Sequence, residues 1–156
     1  MGNTLIGYDG EYLALETGTV RHGHGTQDYN MITRPTHGQD WLSFKGIWDE
    51  NEFKEGVLTT EFATYVGNFR QGKLHGQGEI VIGWGHYFGC VRKNVSHGHG
   101  VIMFGAEYKY EGDFVKGVSH SGEMIRLTDG KRGVKPFEQT GLMVSSTREY
   151  VEKWFN

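Results

Sequence analysis

The sequence predicts an all-β protein: an elongated, twisted antiparallel sheet of consecutive β-hairpins that ends in a short capping α-helix. Three observations support this fold class. The 156 residues include 25 glycines but 2 prolines, an aromatic-x-glycine pattern recurs, and Asn or Gly follows each copy at a fixed distance. Glycine-rich sequence without the period of collagen or the low complexity of a linker indicates a repeated backbone geometry.

The aromatic-x-glycine pattern marks the first strand of each predicted hairpin. Its aromatic residue is Phe44, Tyr65, Tyr87 or Tyr110, at spacings of 21, 22 and 23 residues, and a bulky residue follows each glycine by two positions. Residues two apart share one face of a β-strand. A glycine between two large residues leaves room for a neighbouring ring, so we expect the aromatic rings to stack across the backbone along the sheet.

Hairpin turns are predicted three positions after each bulky residue, at Asn51, Gly72, Asn94 and Gly117. Asn and Gly are the residues that most readily adopt a left-handed conformation. Apolar residues two apart follow three of these turns: Ile80/Ile82, Ile102/Phe104 and Ile125/Leu127. Each unit is therefore predicted to be strand, tight turn, strand.

The unit from Tyr65 to Gly78, which includes His75-Gly76-x-Gly78, resembles the MORN (membrane occupation and recognition nexus) repeat at every consensus position. The unit that starts at Tyr87 resembles it almost as well. The Tyr110 unit keeps only the first half of the pattern. The Phe44 unit is interpreted as a degenerate repeat, with Glu55 and Val57 at the glycine positions.

The resemblance divides the chain into a repeat array at residues 1–130 and a C-terminal part at residues 131–156. The repeat units are placed near residues 8–29, 44–62, 65–83, 87–105 and 110–128. In the first unit a lengthened hairpin is predicted to turn near Thr17-Gly18. An irregular insert at residues 26–41 interrupts the array.

The C-terminal part contains a predicted helix. Ser146-x-x-Glu149 fits a capping box, and the apolar residues between Tyr150 and Phe155 lie on one helical face. Because an array of hairpins leaves an open sheet edge, this helix is expected to cap the last hairpin. The alternative is an anchor for a partner or a second copy. A connecting segment before it, at residues 131–144, is predicted to contain one strand around residues 142–144.

Composition excludes several classes of protein. A formal net charge of -3 gives no basic surface for nucleic acid. The single cysteine, Cys90, cannot form an intramolecular disulfide, which fits a reducing compartment. No apolar stretch approaches the ~18 residues of a membrane span. We expect an intracellular, cytoplasmic protein, in association with the cytoskeleton or a membrane.

Catalytic residues, a metal site and a cofactor are not predicted. His75, His97 and His120 occupy one repeat position, so successive members should lie ~9.5 Å apart along the sheet, too far to share a metal. His22/His24 and His97/His99 sit two apart and would share a strand face, but no other ligand is placed with them. The chain is therefore interpreted as non-enzymatic.

The resemblance implies a protein-protein interaction or assembly scaffold, and the partner is expected to be another protein. Self-association through the sheet edges or the C-terminal helix is a further expectation. A peptide or helix would lie across aromatic ridges of the sheet. The candidate anchors are large aromatic residues near turns or the terminus: Trp41, Trp84, Tyr108, Trp154 and Phe155.

Two alternatives remain open at this point. The first is a peripheral binder of acidic lipid headgroups, which would use the basic residues around the turns: Lys73, Arg92, Lys93 and Lys116. The second is a viral or microbial enzyme or small-ligand-binding protein, with a pocket built by the irregular first unit and the insert.

Overall fold

The computed structural model describes residues 7–28, 41–134 and 152–155. They form one antiparallel sheet of 11 strands in which every strand pairs with its neighbours in the chain. The strands are β1 (Tyr8–Leu15), β2 (Gly18–Asp28), β3 (Trp41–Asp49), β4 (Glu52–Thr60), β5 (Ala63–Arg70), β6 (Lys73–Ile82), β7 (Gly85–Arg92), β8 (Val95–Phe104), β9 (Tyr108–Val115), β10 (Val118–Arg126) and β11 (Arg132–Val134). The predicted sheet of consecutive hairpins is confirmed.

The predicted turns occupy the tips of the hairpins. Both central residues of four turns have positive φ, between 46° and 81°, as in the type I′ turns that match the twist of paired strands. The four pairs are Glu50-Asn51, Gln71-Gly72, Lys93-Asn94 and Lys116-Gly117. In the first hairpin Leu15 pairs with Gly18, so the turn lies at Glu16-Thr17, one residue before the predicted position.

A row of directly paired glycines crosses the sheet from β1 to β10. Its members are Gly10, Gly25, Gly46, Gly56, Gly67, Gly78, Gly89, Gly100, Gly112 and Gly122. The ring of Tyr87 lies across this row, because a Cβ on Gly100 would be 2.5 Å and 2.6 Å from two of its ring carbons. The expectation that rings lie across the glycine backbone is confirmed.

The glycine positions proposed for the degenerate unit are wrong. Gly56, and not Glu55 or Val57, lies in the row, and Gly122 does the same in the last hairpin. These two hairpins contain a bulge with one extra residue, whereas the His-Gly units contain two extra residues. Only the longer bulge needs a left-handed residue, such as Gly98 with φ 92°.

Each hairpin bends at the glycine row, so that its tip packs over its base. Phe44 and Phe53 lie near opposite ends of one hairpin, yet their rings stack with centroids 4.6 Å apart. A flat strand would hold these two positions ~13 Å apart. The bend gives a single sheet an enclosed inner face, where Phe44, Trp48 and Phe114 are at most 1% exposed.

The folded tips dock on the preceding hairpin through their turn residues. The Asn94 N–H donates to the Leu74 carbonyl oxygen at 3.1 Å, and the Leu74 N–H donates to Asn94 Oδ1 at 2.7 Å. Asn51 makes the same two contacts with Arg21, both at 2.9 Å. Asn at these turns therefore supplies an acceptor that Gly lacks.

The contribution of the Asn94 side-chain contact to stability can be measured separately from that of its positive φ. We expect Asn94→Gly to lower the free energy of unfolding by about 1 kcal/mol, because it keeps the positive φ and leaves the Leu74 N–H without its acceptor. Asn94→Ala should cost about 1 kcal/mol more, because alanine also strains at positive φ. Urea denaturation of both variants measures the difference. Equal stabilities for wild type and Asn94→Gly would contradict the role of the side chain.

The predicted C-terminal α-helix is not supported. Within residues 152–155 the structure contains a single 3₁₀ turn, Lys153–Phe155, here named the C-terminal turn. A Cβ on Gly133 would be 2.7 Å from the Trp154 carbonyl carbon, so the backbone of the C-terminal turn packs directly on β11. The capping box, the strand predicted at residues 142–144 and residues 29–40 of the insert lie outside the described residues.

Candidate functional site

A cleft lies on the inner face, between the bases of the strands and the folded tips. Its larger section has a volume of about 650 Å³, and its smaller section one of about 90 Å³. Leu58, Phe62 and Tyr65 form the base side of the larger section, and Gln71, Gly72 and Lys73 form its tip side. Asn94 lines both sections, so the two lie next to each other in the middle of the array.

The inner face has a floor of tyrosine–apolar pairs joined across the strands, of which the first two pairs line the cleft. Tyr65 pairs with Ile80, Tyr87 with Ile102 and Tyr110 with Met124. Tyr110 and Met124 are 1% and 0% exposed, whereas Tyr65 and Ile80 are only half-buried. The uncovered floor around Tyr65 and Ile80 is named the window.

Phe62 stands beside the window and is 84% exposed, the most exposed large apolar residue of the described chain. It lies in the turn between β4 and β5, where polar residues are usual. Thr60 Oγ1 fixes this turn by accepting hydrogen bonds from the N–H groups of Phe62 at 3.3 Å and Ala63 at 3.0 Å. The sequence-based candidates omit Phe62, although an aromatic residue between two strands is a signal for it.

Two of the five predicted anchors line the cleft. Trp41 borders the larger section, where its ring meets the edge of Phe53 at 5.8 Å. Trp84 borders the smaller section and stacks on Phe104, with centroids 5.7 Å apart and an interplanar angle of 11°. Both indoles are half-buried and held by other rings, so they present ordered surface to the cleft.

The other three predicted anchors lie at the C-terminal end of the array. Trp154 is 2% exposed and contacts Tyr110, with ring centroids 5.7 Å apart. Phe155 lies 5.9 Å from Tyr108, whose hydroxyl donates to the Glu152 carboxylate. Arg126 lies 3.6 Å from the same carboxylate. These anchors contact residues of their own chain.

The predicted basic residues are exposed along the tips of the hairpins. Lys73, Arg92, Lys93 and Lys116 flank or occupy successive turns, and Arg70, which the sequence-based candidates omit, pairs with Lys73 across its turn. None of the five forms an ion pair within residues 7–28, 41–134 and 152–155. The second hairpin differs, because its Lys54 pairs with Asp49 at 3.7 Å and Glu52 at 3.2 Å.

The tyrosines of the floor are hydrogen-bond donors at neutral pH. Burial raises the pKa of Tyr65 and of Tyr87, and it raises the pKa of Tyr110 to about 12. The Tyr87 hydroxyl donates to the Cys90 carbonyl oxygen at 2.6 Å, and the Tyr110 hydroxyl donates to that of Ser121 at 2.9 Å. At Tyr87 the cleft therefore offers aromatic surface above a hydroxyl already used in the fold.

The histidines make separate contacts. His97 Nδ1 accepts from the Lys116 N–H at 3.3 Å, while His99 Nδ1 lies 3.4 Å from Asp113. The bulge at Gly98 breaks the alternation that predicted a shared face for these two histidines. Among the described residues no group of three or more His, Cys, Asp or Glu is placed to hold a metal. The described segments also contain no helix long and apolar enough to cross a membrane.

Comparison with known families agrees with this geometry. The model of the MORN repeat family matches residues 18–31, 65–86, 87–105 and 110–121. A comparison with curated proteins finds no match. The matched segments start at β2, β5, β7 and β9, and the hairpin β3–β4 shares their type I′ turn and glycine row. Four segments of the chain therefore match the MORN repeat.

Proposed function

We propose that the protein is a non-enzymatic interaction module or assembly scaffold that holds a segment of another protein in its cleft. The observation that carries this proposal is the window, where Tyr65 and Ile80 are left half-buried beside the exposed ring of Phe62. Large exposed apolar groups around a concave surface are typical of interaction sites. MORN repeats support a role in binding or scaffolding.

The cleft has the properties of a preorganised binding surface. Trp41 and Trp84 flank the window on either side, and each is held in place by a neighbouring ring. Aromatic anchors that are already ordered lose little conformational entropy when a partner binds. A few such anchors usually supply most of the binding free energy. The window with its two indoles is the expected centre of the interface.

The test is affinity capture with two matched baits. Phe62→Ala removes an exposed ring beside the window, and Phe88→Ala removes a 38% exposed ring from the opposite face of the sheet. Extracts of cells that express the protein are captured with wild type and both variants, and the bound proteins are quantified by mass spectrometry. We expect a partner that Phe62→Ala loses and Phe88→Ala retains. Equal capture by all three baits would contradict binding at the window.

Binding to anionic membranes is the second candidate function. The five exposed cations Arg70, Lys73, Arg92, Lys93 and Lys116 favour it, because each basic residue near an anionic surface contributes about 1 kcal/mol. Val95, Val115 and Val118, 40% to 46% exposed, lie between them on the same turns. Co-sedimentation with phosphatidylserine vesicles, lost at high salt and in Arg92→Glu/Lys93→Glu, would support this function. Equal recovery with phosphatidylcholine vesicles would exclude it.

A further inference from the structure

The first strand, β1, is an open edge of the sheet. It spans the eight residues Tyr8–Leu15, and within the described part of the chain it pairs with β2 alone. The Gly7 carbonyl oxygen accepts from the Asp28 N–H, so the odd-numbered residues of this strand direct their backbone groups to β2. The even-numbered residues direct theirs away from the sheet: Tyr8, Gly10, Tyr12 and Ala14.

This edge has few of the features that usually protect an edge strand. It contains no proline or lysine, and the extra residues of its bulge lie in β2, between Arg21 and Gly25. Of its outward groups, the Tyr8 carbonyl oxygen accepts from the Tyr12 hydroxyl at 3.4 Å, which is longer than the usual limit of about 3.0 Å. The edge is therefore accessible to an added strand.

The side chain of Tyr12 is placed to contact a neighbouring hairpin. In later hairpins the residue two positions after the row glycine contacts an aromatic ring of the preceding hairpin: Trp48 contacts Tyr8 at 5.7 Å, and Phe114 contacts Tyr87 at 5.2 Å. Trp48 and Phe114 are each 1% exposed, whereas Tyr12, at the same repeat position, is 43% exposed. The first hairpin thus presents one half of the interface that joins the other hairpins.

Acidic side chains flank Gly10 on the face of the sheet opposite the cleft. Asp9 and Glu11 are exposed, and Asp9 forms no ion pair within the described ranges. Glu11 accepts a hydrogen bond from the His24 N–H at 2.5 Å. A strand that continued the glycine row would place a glycine opposite Gly10, and its two flanking residues would lie opposite Asp9 and Glu11. Basic residues fit these two positions.

The same charges disfavour a second copy of the chain as the occupant. If two β1 strands paired about a two-fold axis with Gly10 opposite Gly10, Asp9 of each copy would lie opposite Glu11 of the other. Like charges directly opposite each other destabilise a strand pair. Head-to-tail joining would use β11, which spans three residues and could pair with fewer than half of those in β1. A strand of a different protein fits this edge better.

We propose that β1 binds an extended segment of a partner protein by strand addition, and that this segment carries basic residues on both sides of a glycine. The glycine lies opposite Gly10 and continues the glycine row. Its basic neighbours face Asp9 and Glu11, and apolar residues two positions from the glycine face Tyr8 and Tyr12. Because β1 lies apart from the window, this inference goes beyond the proposed function and does not depend on it.

The probe is a designed nine-residue peptide, TTIKGKITT, with capped ends and a fluorescein label. Fluorescence anisotropy measures its Kd for the full chain and for Asp9→Lys. The matched control is Glu55→Lys, which makes the same change of charge at an exposed residue of β4, a strand that is paired on both sides. We expect Asp9→Lys to raise Kd at least about tenfold and Glu55→Lys to leave it within about twofold.

Altered peptides test the backbone pairing and the charges separately. In the proposed register the N–H of the peptide glycine faces β1, and the N–H of the lysine that follows it faces away. N-methylation of the glycine should therefore abolish binding, whereas N-methylation of that lysine should leave Kd unchanged. The peptide TTIEGEITT, with glutamates in place of the lysines, should bind at least about tenfold more weakly.

Four results would overturn the inference. Equal weakening by Asp9→Lys and Glu55→Lys would mean that the peptide responds only to net charge. Equal binding of the two N-methylated peptides would exclude strand addition. Loss of binding in Phe62→Ala would place the peptide in the cleft instead. In sedimentation velocity the wild-type chain should be a monomer, and a dimer that the peptide dissociates would show that a second copy occupies β1.

Discussion

Replacing Gly100 with alanine is expected to lower the free energy of unfolding by about 3 kcal/mol, the upper end of the usual cost of overpacking a core. The new Cβ would lie 2.5 Å and 2.6 Å from ring carbons of Tyr87, which is 5% exposed and packs edge-on against Phe114 at 5.2 Å. The ring has little space to move, so the strain spreads to the neighbouring hairpin. Urea denaturation monitored by circular dichroism measures the loss.

Gly83→Ala is the matched control for this experiment. A Cβ on Gly83 would have no atom within 4 Å, and its φ lies outside the left-handed region. The substitution should leave stability unchanged or raise it by a few tenths of a kcal/mol, because alanine restricts the unfolded chain. If Gly100→Ala and Gly83→Ala changed the free energy of unfolding equally, the glycine row would not be needed to make room for the tyrosine rings.

Replacing Trp154 with alanine is expected to lower the free energy of unfolding by about 4 kcal/mol, as large-to-small changes in cores do. Trp154 is 2% exposed, and its indole N–H has no hydrogen-bond partner in the described structure, so its contribution comes from packing against Tyr110. Leu127→Ala, at a 40% exposed residue of the neighbouring turn, should have an effect below about 0.5 kcal/mol.

The loss caused by Trp154→Ala should also be local. Each strand pairs only with its chain neighbours, and the stability of such arrays is a sum of units and nearest-neighbour interfaces. Hydrogen exchange measured by mass spectrometry should therefore show lost protection in β9, β10 and β11, with β3 to β6 unchanged. A uniform loss across the sheet would mean that the array unfolds as one unit and that the C-terminal turn is not a local cap.

The sequence was sufficient to predict the strands of the hairpins and the tips at Asn51, Gly72, Asn94 and Gly117, but not β11. Alternating residues such as Tyr65, Gly67 and Phe69 report one strand face directly, and Asn94 or Gly72 reports a left-handed turn residue. Both signals are local, because they arise from the pleat and from backbone sterics within a few residues. The predicted hairpin register follows from these local signals.

The parts that were missed depend on geometry between hairpins. Whether Gly56 or Val57 enters the glycine row depends on the length of a bulge, which changes pairing across strands without changing the strand pattern. The bend at the glycine row, which brings the ring of Phe53 onto that of Phe44, produces no periodic pattern in the sequence. The position of Phe62 between two strands is a signal in the sequence, but its place beside Tyr65 depends on the fold.

The predicted anchors show the same limit. A list of large aromatic residues could not separate Trp41 and Trp84, which line the cleft, from Trp154, which is buried against its own chain. The difference is set by Arg126 and Tyr108, which hold Glu152 and so position the C-terminal turn. Arg126 and Tyr108 are distant from the turn in sequence, and only the folded chain brings them into contact with it.

The neighbour-to-neighbour order of the strands also determines how the protein responds to mechanical load. A force applied to the two outermost strands, β1 and β11, acts at opposite edges of the sheet. Such a pull peels the edge strands away by breaking hydrogen bonds one after another, because no pair among the 11 described strands bridges the array from end to end. An interaction module of this design would unfold one hairpin at a time under tension. A bound partner that contacts several hairpins would oppose this unfolding.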